Sequence, residues 1–171
     1  MKSKILHLRD LPALRRRTRR QGKTIAFANG CFDLLHVGHI RYLQGAKAAA
    51  DLLVVGVNSD TSVRALKGAS RPLRPLAERL EILAALDAVD YLVAFSGRRP
   101  ARLIGILEPD VHCKGTDYTP ADVPERAVVE RHGGRVLIVG DPKDHSTTEF
   151  LAKMGLKKKG LRRPGPARRK C

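Results

Sequence analysis

The sequence predicts an α/β fold, a doubly wound parallel sheet of about five strands with helices on both faces. Three observations predict it. Five short apolar runs recur along the chain, at 24–28, 52–57, 91–95, 111–114 and 136–139. The segments between them carry apolar residues at helical spacing, and strands alternating with helices at this pitch are joined by right-handed crossovers into a parallel sheet. The run Leu52-Leu53-Val54-Val55-Gly56-Val57 is also apolar without alternation, as befits a strand covered on both faces.

Taken in order, residues 9–20 read as a surface helix. Leu8, Leu11, Leu14 and Thr18 make a thin apolar stripe, and Arg9, Arg15, Arg16, Arg17, Arg19 and Arg20 occupy a solvated face that ends near Gly22. The 24–28 strand follows, bounded by Gly22 and Gly30. Ile40, Leu43, Ala46 and Ala50 then recur at helical spacing, so Asn29–His39 is a strand-to-helix crossing. After the 52–57 strand, Asn58-Ser59-Asp60 opens a helix to about Leu66. A loop through Arg71-Pro72-Leu73-Arg74-Pro75 leads to a helix carrying Leu76, Leu80, Leu83 and Leu86. Beyond the 91–95 strand, helices are expected at 100–107, 125–132 and 147–154, with the last two strands between them. The apolar period fails after Met154. Residues 1–154 are therefore expected to form a single domain with an N-terminal basic helix, and 155–171 a disordered basic tail.

The net charge of +16 raises the prospect of a nucleic-acid partner, so its location matters. Eighteen of the 33 Lys/Arg lie in residues 1–24 and 150–171 beside one acid, Asp10, which leaves 15 basic against 16 acidic residues in the middle. The globular part is nearly neutral, and the tail is the part suited to anionic partners. Only 4% of residues are aromatic, poor material for a stacking surface. No apolar run approaches the roughly 20 residues that cross a bilayer, and the N-terminus lacks the apolar core of a secretory signal, so a cytoplasmic protein without membrane contact is expected. Cys31, Cys113 and Cys171 are widely spaced and suggest neither disulfides nor a zinc ribbon.

Ligands of such sheets bind at the carboxyl ends of the strands. The residues there are Gly30–His39, Asn58–Asp60, Lys114–Tyr118 and Asp141–Thr148. His36 and His39 lie three apart at a helix start, where both can face one way and donate to phosphate oxygens beside free backbone N–H groups. They suit phosphoryl or nucleotidyl transfer; two structural histidines at a helix start is the plainer alternative. Metal ligation is disfavoured, because zinc sites want three or four protein ligands and the other histidines lie in separate elements. Lys67, in a Gly-containing loop, offers a flexible ammonium to phosphates. Gly115 allows close backbone approach, and Asp117 can accept from ribose or sugar hydroxyls. Ser146-Thr147-Thr148-Glu149 fits a capping box and is equally a helix N-terminal phosphate clamp.

Gly30-Cys31-Phe32-Asp33-Leu34-Leu35-His36-Val37-Gly38-His39 resembles the G-x-F-D-x-x-H-x-G-H signature of the cytidylyltransferase-like nucleotidyltransferases, which have a Rossmann-like fold of the HxGH type. The resemblance continues through Val55–Asp60, Leu66-Lys67-Gly68, Arg71-Pro72, Arg79, Val89-Asp90, Pro109-Asp110-Val111, Lys114-Gly115-Thr116-Asp117-Tyr118 and Ser146-Thr147-Thr148, over about residues 4–154. As a series it is most similar to the heptose 1-phosphate adenylyltransferases, found alone or as one half of a bifunctional heptose kinase/adenylyltransferase.

The resemblance implies transfer of AMP from ATP to D-glycero-D-manno-heptose 1-phosphate, giving ADP-heptose and pyrophosphate on the way to lipopolysaccharide. By the same resemblance His36, His39 and Lys67 are catalytic. Gly30, Cys31, Phe32, Asp33, Lys114, Gly115, Asp117, Ser146, Thr147 and Thr148 bind the nucleotide, with Asp33 divided between holding its turn and touching substrate. Arg71 and Arg79 are weaker candidates for the sugar phosphate or triphosphate, since Arg79 on an amphipathic helix reads as a surface residue. Magnesium arrives with the triphosphate, no protein-built metal site is expected, and family members are often homodimers. The alternatives are a cytidylyltransferase acting on glycerol 3-phosphate or a phospho-alcohol and, in another class, a nucleic-acid or anionic-surface binding module. Two departures from the family pattern bear on the acceptor: Thr116 stands where a second glycine is common, and Ser96-Gly97-Arg98-Arg99 replaces acidic residues after the 91–95 strand.

Overall fold

The computed structural model describes residues 4–141. The expected closing helix at 147–154, the 155–171 tail and Ser146, Thr147 and Thr148 lie outside the described residues. The sheet has six strands, all parallel, in the order β1-β4-β3-β2-β5-β6. These are β1 (Ile5–Leu6), β2 (Ile25–Gly30), β3 (Leu52–Asn58), β4 (Tyr91–Phe95), β5 (Val111–Lys114) and β6 (Arg135–Ile138). The doubly wound expectation holds. The additional strand is β1, which pairs with Leu92 and Val93 at the sheet edge and is too short, at two residues, to show a period.

Helices α1 (Leu11–Arg20), α2 (Val37–Ala48), α3 (Asp60–Lys67), α4 (Leu76–Ala84), α5 (Ala101–Leu107) and α6 (Arg126–Arg131) make the crossovers. Successive residues of a strand face opposite ways. Ala26, Ala28, Leu53, Val55, Val57 and Cys113 therefore pack with Leu43 and Ala46 of α2 and Leu80 and Leu83 of α4. Ile25, Phe27, Val54, Val93 and Phe95 pack on the other face with Leu11, Leu14, Leu103, Ile104 and Val129 of α1, α5 and α6. Gly56 is needed in the middle of β3, since a Cβ there would sit 2.8 Å from the Phe27 ring.

Helix α1 exposes Arg16, Arg17, Arg19 and Arg20 as expected and departs from a fully solvated basic face at Arg15. Arg15 is buried and forks onto Asp110 with bonds of 2.7 and 2.8 Å, and the same carboxylate accepts from the Ile25 amide. Burial alone would raise the Asp110 pKa, but the Arg15 and Ile25 bonds hold it below the usual range. Arg17 donates to the Tyr91 hydroxyl and Arg19 to Glu108. Three arginines thus fasten the helix to the sheet's amino-terminal edge and to the end of α5. The topology reverses between β2 and β5, so the crevice at their carboxyl ends is where this fold places a ligand.

Candidate functional site

β2 ends at Gly30, and the chain turns sharply through Phe32, whose φ of 47° puts a bulky residue in the left-handed region. The turn folds the Phe32 ring back over Gly30, where a Cβ would lie 3.0 Å from the ring. The ring's edge then meets His39 with centroids 5.4 Å apart. Gly30 therefore serves by what it lacks, because a Cβ there would press on the ring that meets the histidine.

His36 is the N-cap of α2, in extended conformation, and its carbonyl accepts from the His39 amide at 2.9 Å. The two imidazoles stack with centroids 3.9 Å apart and planes tilted by 33°. Both stand at the helix N-terminus beside the reversal of the topology. Burial, then the His36 ring and the Lys67 ammonium, push the His39 pKa down to about 4. His39 is therefore neutral at pH 7, surrounded by groups that disfavour its proton and would favour a polyanion. Lys67 ends α3 as an exposed residue, ahead of Gly68 at φ 100°.

Asp33, 2% exposed, accepts from Arg71 Nη1 at 2.6 Å and from the Leu73 and Arg74 amides at 2.6 and 3.1 Å. Burial would raise its pKa; these three bonds and the Arg71 charge hold it below the usual carboxylate range. The structure thus gives Asp33 the turn-holding role and ties the 71–74 loop, with its cis Arg71-Pro72 bond, to the histidine crossing.

Arg79 departs most from expectation. It is 1% exposed rather than on the surface. It donates to the carbonyls of Arg74, Cys31 and Asn58 and to Asp60 Oδ1, at 3.1, 2.5, 2.8 and 2.7 Å. These acceptors belong to the ends of β2 and β3, the start of α3 and the loop before α4. With its donors so committed, Arg79 braces the backbone of the site instead of presenting a charge to substrate. Cys31 is half-buried, and burial raises its thiol pKa despite Lys67 and Arg79 nearby; its Sγ lies 3.9 Å from Asn58 Oδ1.

Across the crevice, Lys114 closes β5 on the face of the sheet that Phe27 shares with His112. Its ammonium lies 3.0 Å from Asn29 Oδ1 and 3.2 Å from Glu125 Oε2, and 5.4 Å from the Tyr118 ring. Glu125 and His112 are both buried, with 3.8 Å between Oε2 and Nε2. Against the effect of burial, His112 and Lys114 bring the Glu125 pKa down to about 2, while burial lowers that of His112. No local pattern announces this cluster, because Asn29, Lys114 and Glu125 come from three elements. The space beside Gly115 is open, Asp117 is exposed, and Thr116 Oγ1 donates to the Asp141 carbonyl. Among the described residues no three His, Cys, Asp or Glu side chains come together as a metal site. No helix among them is long and apolar enough to cross a membrane.

A family model described as cytidylyltransferase-like matches residues 27–153. Bifunctional protein HldE of Geotalea uraniireducens is 53% identical over 152 residues, covering 89% of this chain, and that of a Bradyrhizobium strain is 52% identical over 133 residues, covering 78%. The chain spans 31% and 27% of the length of these two curated relatives. Among solved structures, a lipopolysaccharide core biosynthesis protein from Thermoplasma volcanium superposes with a TM-score of 0.62 at 25% identity, over 71% of this chain and all of that one. Pantoate-beta-alanine ligase from Francisella tularensis shares the fold, with a TM-score of 0.55 at 16% identity over 84% of this chain and 68% of that one.

Proposed function

The chain belongs to the cytidylyltransferase-like family, and on that premise we propose that it transfers AMP from ATP to a sugar 1-phosphate, D-glycero-D-manno-heptose 1-phosphate, with release of pyrophosphate. The observation that carries this reading is the stacked His36–His39 pair at the start of α2, beside the reversal of the sheet. The similarity to HldE proteins and the motif series support the choice of nucleotide and sugar. The match over 27–153 supports one nucleotidyltransferase domain across residues 1–154.

In this reaction an oxygen of the acceptor phosphate attacks the α-phosphorus, a new P–O bond forms, and the bond to the β-phosphate oxygen breaks to release pyrophosphate. No proton has to be removed, because the acceptor phosphate is already anionic. The protein contributes position and charge. His36 and His39 donate to the phosphate oxygens, the α2 N-terminus adds its dipole, and Lys67 swings from the end of α3 to meet the triphosphate. Magnesium comes with the triphosphate and neutralises its oxygens. Asp33 and Arg79 hold the histidine crossing in shape. Arg71, fixed by Asp33, acts in the same support.

The test is pyrophosphate release across four nucleoside triphosphates and three acceptors: heptose 1-phosphate, glycerol 3-phosphate and ethanolamine phosphate. ATP with heptose 1-phosphate is expected to be the fastest pair. CTP with glycerol 3-phosphate as the fastest would replace this reading with the cytidylyltransferase one. A nucleic-acid module is disfavoured by α1, where Arg15, Arg17 and Arg19 bond to the protein itself.

A further inference from the structure

Glu125 is a buried carboxylate with no part in the transfer chemistry described above. It is 4% exposed and stands at the N-cap of α6, where a short acidic side chain ordinarily accepts from the first free amides of its helix. It makes no such bond. Its Oε2 meets the Lys114 ammonium at 3.2 Å instead, with His112 Nε2 beyond hydrogen-bonding distance at 3.8 Å. Burial holds His112 toward its neutral form, so Lys114 is the cation that balances the carboxylate. The Glu125 carbonyl accepts from the amide of Val129, a core residue, and this fixes the carboxylate's starting point.

An ammonium carries three N–H groups. Asn29 Oδ1 and Glu125 take two of those on Lys114, the Tyr118 ring lies 5.4 Å away, and the side chain is 11% exposed. A lysine held this way has already given up the rotamer freedom that an exposed one loses on meeting a ligand. Its place in the sheet says which part of a ligand it meets. β5 lies beside β2 on the side away from β3. The histidines follow β2, and Lys67 follows β3 at the end of α3, so a triphosphate drawn by all three runs toward β3 and leaves its nucleoside on the β5 side. The Tyr42 hydroxyl, one turn beyond His39 on α2, donates to the Cys113 carbonyl at 2.8 Å and ties the histidine-bearing helix to the end of β5. The Glu125–Lys114 pair is neutral as a whole. It offers a directed donor without a field that competes with the histidines for phosphate, which suits a ribose hydroxyl or a ring nitrogen.

We propose that Glu125 is a positioning residue for nucleotide binding: it holds the Lys114 ammonium against Asn29 at the end of β5, and the remaining N–H donates to the nucleoside half of the substrate. The proposal rests on the nucleotidyl-transfer reading and adds to it the residue that fixes the nucleoside side.

Calorimetric titration of the full chain with ATP and with AMP tests it, in the parent and in Glu125→Gln, which keeps the shape and removes the charge. Taking a negative charge away from a polyanion's site would by itself tighten ATP binding, so the sign of the change separates positioning from a simple field effect. Loss of positioning is expected to weaken ATP and AMP alike by about tenfold, and to raise KM for ATP by the same factor with kcat little changed. Lys114→Met and the double variant Lys114→Met/Glu125→Gln are expected to bind ATP equally, because Glu125 acts through the lysine. Glu125→Asp, which keeps the charge but draws it back by one methylene, should lose about threefold and stands in if Glu125→Gln fails to fold. Unchanged or tighter ATP binding in Glu125→Gln, with or without a lowered thermal midpoint, overturns the proposal. So does a loss that persists in the Lys114→Met background, or one seen with ATP and not with AMP. The transfer reading fails separately: a parent that neither binds ATP nor releases pyrophosphate with any acceptor removes that reading and this one, whereas a parent that binds ATP with an affinity indifferent to Glu125 loses the positioning role alone.

Discussion

Arg79 and the Lys67–His39 region are neighbours with opposite economies of charge. Arg79 is buried and directs four hydrogen bonds at protein acceptors, which leaves it nothing to offer a ligand. Lys67 is exposed, and His39 sits neutral beside it with a proton affinity held down by its surroundings. The same contrast separates Arg15, forked onto Asp110, from its chain neighbour Arg16, which is exposed. A cation whose field is matched within the protein is scaffold. One whose field is unmatched, placed at the carboxyl ends of the strands, is available for phosphate.

The largest effect is expected from Arg79→Ala. It should destabilise the fold by about 3–5 kcal/mol, because the carbonyls of Arg74, Cys31 and Asn58 and the Asp60 carboxylate lose their donor, and chemical denaturation would read it. A stability within 1 kcal/mol (an order-of-magnitude margin) of the parent would return Arg79 to the ligand-facing group. His39→Ala should instead lower kcat by about 10²–10³-fold, equivalent to roughly 3–4 kcal/mol of transition-state stabilisation, with circular dichroism unchanged. Normal pyrophosphate release in that variant would sink the assignment of the histidine pair.

A third expectation follows from the His39 proton. Its folded pKa is near 4 and its unfolded value near 6.5, so between these values the unfolded chain binds the extra proton. Stability contributed by neutral His39 is complete above pH 6.5 and falls by about 2–3 kcal/mol as the pH drops toward 4. His112, also depressed by burial, adds to the same limb. Denaturation midpoints of the parent and His39→Ala across pH 4–7 should differ in slope; parallel curves would show that the ring is not desolvated. ATP, which favours the protonated ring, should bind more tightly as pH falls through this range. Last and smallest, Lys67→Ala should weaken transfer by about tenfold through KM and kcat together, with the thermal midpoint unmoved.

Much of this architecture is readable from local sequence. Apolar runs and helical spacing locate five of the six strands to within about two residues, since each pattern repeats over neighbouring positions. β1 escapes because two residues between polar neighbours carry no period. The histidine crossing is readable for the same local reason: Gly30, His36 and His39 are close along the chain. Glu125, Asn29 and the clamp on Asp33 are not, because their partners lie far away, as with Arg71 at 38 residues from Asp33 and Lys114 at 85 from Asn29.

Local patterning is enough for the alternating α/β plan, the two histidines at a helix start, and the concentration of positive charge at the chain ends. Which arginines are scaffold and which stay in solvent is settled by long-range packing. The reason is physical: an arginine has the same intrinsic chemistry everywhere, and its role depends on burial and on acceptors that folding brings within about 3 Å. Arg79 and Arg99 look alike in the sequence, one on a helix stripe and one in a loop. The fold surrounds the first with carbonyls and leaves the second exposed.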